Sequence, residues 1–176
     1  MDVLDHLTQE HRQVEDLLSR LASSSEGSER NSLFEELVTS LDTHMKVEER
    51  FVYPMIADLI GAKEAEDAED EHTLAREGIE AARERLEEGA FEAAIETLTA
   101  GISHHVEEEE NELFPQLRTK AADQLAGMDG ERLESKIEAV DVDLTKEELY
   151  EEAKKKGVEG RSKMTKDELA EAVGRA

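Results

Sequence analysis

The sequence has no cysteine and no tryptophan, only two prolines and ten glycines among 176 residues, and 3% aromatic residues. Without cysteine there is no disulfide framework, thiolate nucleophile, thiolate zinc or cysteine-bound iron–sulfur cluster, so any metal must rest on histidine and carboxylate. With so little proline and glycine, and with β-branched residues scattered rather than alternating, the chain reads as almost entirely helical. No apolar run approaches the roughly 18 residues of a membrane helix, and the start MDVLDHL lacks the basic-then-apolar order of a signal peptide. From these absences a cytoplasmic protein with no membrane partner is expected. Basic residues are also outnumbered, 21 against 46 acidic, for a formal charge of -25. A field of that sign repels phosphates and excludes a basic-patch nucleic-acid binder for the chain as a whole.

What is present is a solvated surface, 38% charged, with enough Leu, Ile, Val and Ala among the 38% apolar residues to bury one core and carry an appendage. Four stretches carry apolar residues at spacings of three and four. The first, about 2 to 22, aligns Leu4, Leu7, His11, Val14, Leu18 and Leu21 and breaks in the polar run from Ser23 to Ser28. The second, about 31 to 60, aligns Phe34, Leu37, Leu41, His44, Glu48, Phe51 and Met55, with Pro54 expected to kink it or end its regular part. The third, about 63 to 88, carries Ala68, His72, Ala75, Ile79, Ala82 and Leu86, followed by Gly89 as the expected C-terminal residue. The fourth, about 91 to 120, shows Phe91, Ile95, Leu98, Ile102, His105 and Glu109. Short loops between four such helices predict an all-α, antiparallel, up-down-up-down four-helix bundle over residues 1–125. His11 to His44 and His72 to His105 are each 33 residues, and HMKVEERFVYP (44–54) superposes on HVEEEENELFP (105–115) at an offset of 61. The bundle reads as a duplicated helix pair.

The apolar stripe of every helix is interrupted by a histidine, and two stripes are interrupted again one turn later by a glutamate. His44 with Glu48 and His105 with Glu109 are i, i+4 pairs that project to one side of their helices. Two unpaired carboxylates in a core would cost several kcal/mol each, and a polyvalent cation removes that penalty. Antiparallel packing brings His11 level with His44 and permits His72 and His105 to share the layer. His11, His44, Glu48, His72, His105 and Glu109 therefore form a candidate metal site. Its mixed nitrogen and oxygen donors suit iron, manganese or zinc, and two carboxylates able to bridge favour two ions. His104 falls about 100° off the stripe and reads as a surface residue, as does His6. Glu15 makes a further HxxxE pattern with His11, but its partner at the offset of 61 is Arg76, so it is read either as a ligand or as an ion-pairing neighbour. Tyr53, Phe51 and Phe114 read as packing residues, and the acidic run from Glu107 to Glu110 as a solvated face apart from Glu109.

EHRQVEDLL, HMKVEERFVYP, DEHTLA and HHVEEEENELFP resemble the four signature segments of the hemerythrin-like, histidine/glutamate cation-binding family over roughly residues 1 to 120. The resemblance implies two non-heme iron ions in a di-iron centre that meets dioxygen, with the family's ligands falling on the six residues already named. Oxygen-carrying members have a further histidine one turn before the position of His72, where this chain has Ala68, and use HxxxxD in the fourth helix, where it has HxxxE. That departure implies a protein that senses or detoxifies dioxygen, peroxide or nitric oxide rather than one that carries oxygen. Phe51, three residues from Glu48, offers a wall that would control dioxygen access. An iron storage or buffering protein and a metal-stabilised adaptor are the competing expectations.

Beyond Gly127 a linker with a short helix is expected over 126–142 and a second unit over 143–176. Residues 143–176 hold 8 basic and 9 acidic residues, so almost all the negative charge belongs to the bundle. Thr145 with Glu148 and Thr165 with Glu168 form two capping boxes, and Gly157 and Gly160 bracket the connection. This tail resembles the helix-extended-helix unit of the transcription terminator Rho N-terminal region and of SAP-type modules. The resemblance makes nucleic acid a possible partner of the tail alone, through Lys154, Lys155, Lys156, Arg161, Lys163 and Lys166.

Overall fold

The computed structural model describes residues 1–25, 27–86 and 89–143, with positions 150, 153, 154, 164–166 and 169 of the tail. The described residues are helical and contain no strand, the nearest thing being an isolated bridge between Asp2 and Asp129. In order, the helices are α1 (Val3–Ala22), α2 (Ser28–Val47), α3 (Tyr53–Leu59), α4 (Ala62–Arg83), α5 (Phe91–Glu108), α6 (Phe114–Lys120), α7 (Ala122–Leu125) and α8 (Gly130–Asp143). α1 packs on α2 and α5, and α4 on α5 and α3, an arrangement compatible with a four-helix bundle. Asp2 caps α1 by accepting a hydrogen bond from the Asp5 N–H at 2.9 Å. Gly27, at φ 128°, occupies the left-handed region that a side chain resists and lets α2 start at once.

α2 and α3 are not separate helices in the usual sense. The five residues Glu48–Val52 between them form a π-helical turn, in which the Tyr53 N–H donates to the Glu48 carbonyl. Glu109–Leu113 does the same between α5 and α6, with the Phe114 N–H donating to the Glu109 carbonyl. Both turns end just before a proline, Pro54 and Pro115, and all these positions correspond at the offset of 61. A proline has no N–H for the α-helical bond and its ring crowds the preceding turn. Widening one turn absorbs the conflict, so the expected break at Pro54 becomes a bulge and the helix continues through it.

Most apolar stripe residues bury as their spacing predicts, whereas Phe51, Met55, Ala75 and Leu86 bury only in part, and two helices differ at their ends. α4 stops at Arg83, where the Arg85 and Leu86 N–H groups turn back onto the Ala82 and Arg83 carbonyls; Gly89 is therefore not its terminal residue. α8 runs to Asp143, past the expected short helix. His6, expected at the surface, is 8% exposed. The reason is local: the Gly130 N–H donates to the Met1 carbonyl, which lays the start of α8 against the His6 ring so closely that a side chain at Gly130 would overlap it.

The chain divides into two compact units, Met1–Leu133 and Glu134–Ala176. In the second, Ala153 and Leu169 are buried and the Leu169 N–H donates to the Thr165 carbonyl at 3.1 Å. The Thr145–Glu148 box, Glu168, Gly157, Gly160 and most of the lysine cluster lie outside the described residues.

In the first unit, fully buried Phe34 meets Phe91 edge-on at 6.1 Å, with the Arg83 guanidinium over its face. Truncating a buried aromatic removes its transfer energy and leaves a cavity. Phe34→Ala is expected to lower the unfolding free energy by about 3–5 kcal/mol in urea titration.

Candidate metal centre

Along α1, Leu4 and Leu7 precede His11 and Val14 and Leu18 follow it; along α4, Ala65 and Ala68 precede His72 and Ile79 and Ala82 follow. All of these are buried. The histidines thus sit inside the apolar interior, with hydrocarbon on both sides along the helix. His11 Nε2 comes within 3.1 Å of His44 Nε2, and His72 Nε2 within 3.3 Å of His105 Nε2. The level matching expected from the loop lengths is present in both pairs.

Glu48 and Glu109 lie between these pairs, each with 0% exposure. Glu48 Oε1 is 3.1 Å from His44 Nε2 and Oε2 is 3.1 Å from His72 Nε2. Glu109 Oε2 is 3.5 Å from His11 Nε2 and 3.7 Å from His105 Nε2. None of the four carboxylate oxygens receives a hydrogen bond. Two groupings follow, His11 with His44, Glu48 and Glu109, and Glu48 with His72 and His105, in each of which one donor atom per residue lies within 4.8 Å of the others. Either group could hold a metal ion, and Glu48 belongs to both.

The outer nitrogens decide the protonation of the rings. His11 Nδ1 faces Glu110 at 2.8 Å, His44 Nδ1 faces Glu10 at 3.0 Å, His72 Nδ1 faces Glu49 at 2.8 Å and His105 Nδ1 faces Glu71 at 2.9 Å. An ionised carboxylate only accepts, so in a neutral ring the proton sits on Nδ1 and the bare Nε2 lone pair points inward. Four lone pairs and two carboxylates then converge on one buried volume with too few protons to pair them. A cation satisfies that geometry, and a carboxylate behind each imidazole fixes its tautomer and orientation. Arg12 pairs with Glu110, and Arg76 pairs with Glu49 at 2.7 Å, which steadies two of the outer carboxylates.

The electrostatics of the metal-free chain show the same strain. Burial alone would push the His11 imidazole down, but Glu109 and Glu48 outweigh it and raise its pKa to about 9. His72 is likewise raised to about 9 against its own burial, by Glu48 and Glu49. Burial opposes ionisation of Glu48 too, yet His44, His11 and His72 hold it well below the usual carboxylate range. Burial and the charge of Glu48 push Glu109 up.

Widening each turn after the HxxxE motif also places an aromatic ring. Five residues along an α-helix is roughly 140° off the starting face, whereas an i+5 bonded turn returns the chain over its start. Tyr53, five after Glu48, is thereby buried with its hydroxyl 2.9 Å from His72 Nε2. Burial together with Glu48 and Glu109 holds its pKa well above 10.0, so the hydroxyl stays protonated. Phe114, five after Glu109, stacks on His11 at 6.0 Å and 12°. Tyr53 is more than the packing residue its sequence context suggests.

The hemerythrin HHE cation binding domain model matches residues 2–117. The chain belongs to this family. No curated protein and no solved structure matches it. All six residues singled out in the HHE domain sequence converge on one site. Glu15 is not with them: it is half-exposed and pairs with Arg12 at 2.7 Å. His104 is 71% exposed on its side chain and faces Glu71 at 3.0 Å. Four residues that the stripe argument passed over are Glu10, Glu49, Glu71 and Glu110. They were nonetheless detectable, because the doublets Glu10-His11 and Glu71-His72, and Glu48-Glu49 and Glu109-Glu110, recur at the offset of 61.

The raised imidazoles give a pH test of the metal-free HHE domain. A pKa lifted from 6.5 to about 9 on folding contributes stability that is complete below pH 6.5 and lost as pH rises through about 9. The urea midpoint of metal-free protein is expected to fall over that window, and to fall less in the double variant His11→Gln, His72→Gln. Equal falls in both would contradict the assignment of the titration to these rings.

Proposed function

We propose that this chain is a cytoplasmic non-heme di-iron protein that senses or detoxifies dioxygen, peroxide or nitric oxide. The observation that carries it is the convergence of four inward-facing imidazole Nε2 atoms on two fully buried carboxylates. His11, His44, His72 and His105 would serve as the nitrogen ligands and Glu48 and Glu109 as carboxylates able to bridge, on an antiparallel up-down-up-down bundle. An iron pair held there would supply the redox chemistry toward these small oxidants.

The rest belongs to the chain's own residues. Glu110, Glu10, Glu49 and Glu71 hold the four rings in the tautomer that leaves Nε2 free. Tyr53 holds its proton beside His72 Nε2 and is the natural donor to a ligand bound on that side, while Phe114 seals the corresponding position near His11 with hydrocarbon. Ala68, buried one turn before His72, contributes no donor atom, so fewer protein ligands are offered there than in oxygen carriers. That shortage favours reaction over stable oxygen carriage. Metal storage is the weaker reading, because the donor set is closed and sized for a pair. Among the described residues no helix is long and apolar enough to cross a membrane.

Protein reconstituted with ferrous iron without oxygen and desalted is expected to retain about two irons per chain by elemental analysis, as suits six donors with two able to bridge. His44→Ala and Glu48→Ala should each lose most of that iron, and His104→Ala should keep it. Retention of one iron or fewer by wild type would contradict the di-iron reading. Many more than two would favour storage. Equal loss in His104→Ala would mean that the ligands are wrongly assigned.

A further inference from the structure

Between α4 and α5 the packing opens into a cleft of about 540 Å³ whose lining includes all four site imidazoles. Small residues make the gap, Ala75, Gly78 and Ala81 on α4 and Gly101 on α5. A Cβ added at Gly101 would meet nothing within 4 Å, whereas one at Gly78 would come to 3.0 Å from Leu98 Cδ1. Deeper in, the walls are hydrocarbon: Val14, Leu41, Met45, Leu98, Ile102 and Val106. At the rim, Leu74 is 66% exposed and extends the apolar lining outward.

We propose that this cleft binds an uncharged, largely apolar organic molecule, with its inner end against the imidazoles. Its volume falls within the roughly 300–1,000 Å³ of pockets that hold organic ligands, far more than the ~30 Å³ share of a water molecule and so of a diatomic gas. The walls offer no partner for a buried charge, which rules out a charged ligand body. Glu71 and Glu77 at the lining and the net charge of -25 repel an anionic head group left at the mouth, and the hydrocarbon walls oppose carrying one inward to the imidazoles. This binding rests on the cleft alone and holds with or without iron, so its test is independent of the metal reading.

The test is a titration of the full chain, metal-free and iron-loaded, with the neutral fluorescent probe N-phenyl-1-naphthylamine. Expected is a saturable rise in fluorescence in both forms, reversed by 1-decanol and not by decanoate at the same concentration. Gly101→Leu sets an isobutyl group in the open space, at a helix position where leucine is better tolerated than glycine, and should weaken probe binding at least tenfold. Thr97→Phe, on the same rim and exposed, gives a second variant, and circular dichroism checks that both fold. Absence of saturable binding, or wild-type affinity in both folded variants, would overturn the proposal. Displacement by decanoate as strong as by decanol would overturn its restriction to uncharged ligands.

Discussion

Two carboxylates in the middle of a helical core set the terms for the rest of this structure. Glu48 and Glu109 are fully buried, close to one another's imidazole partners, and receive no hydrogen bond on any oxygen. Left alone they would cost several kcal/mol each, a large share of the 5–15 kcal/mol by which a domain of this size is stable. The four histidines answer part of that cost. In the metal-free chain His11, His44 and His72 do so by holding extra protons against their own burial. With a cation bound they do so by sharing it, and the same inward-facing lone pairs become donors.

The second ring of carboxylates makes the arrangement specific. An imidazole can present either nitrogen, and only a fixed partner on Nδ1 commits Nε2 to the interior. Each ring has such a partner, and each partner is the chain neighbour of a central residue on another helix. Glu10 precedes His11 and holds His44; Glu71 precedes His72 and holds His105; Glu49 follows Glu48 and holds His72; Glu110 follows Glu109 and holds His11. Central and outer groups are thus locked to one another across helices. Beside the imidazoles the two halves differ in one ring, Tyr53 against Phe114, which gives the site a hydroxyl on one side and hydrocarbon on the other.

Much of this was legible in the chain. The all-helical fold followed from the spacing of apolar residues, and the six central residues followed from their phase on those stripes, because a charged group at a core position is an anomaly that demands a partner. The outer carboxylates were harder to see. They lie about 100° off the stripe, in a sequence with 46 acidic residues, where one more glutamate carries no signal until the repeat is used as a filter. The π-helical turns were hidden for a different reason: a proline in a helical pattern reads as a kink or a stop, and the sequence does not announce that one widened turn can accommodate it. His6 was misplaced because its burial depends on Gly130, far along the chain and outside any helical periodicity.

We infer that the buried histidine and glutamate cluster would hold a pair of metal ions, with Glu48 belonging to both donor groups. Anomalous scattering of crystals of iron-loaded protein at the iron edge tests this directly. Two peaks inside the bundle are expected, one beside His11 and His44 and the other beside His72 and His105. A single interior peak, or iron confined to the surface group of Glu71, His104 and Glu108, would contradict it.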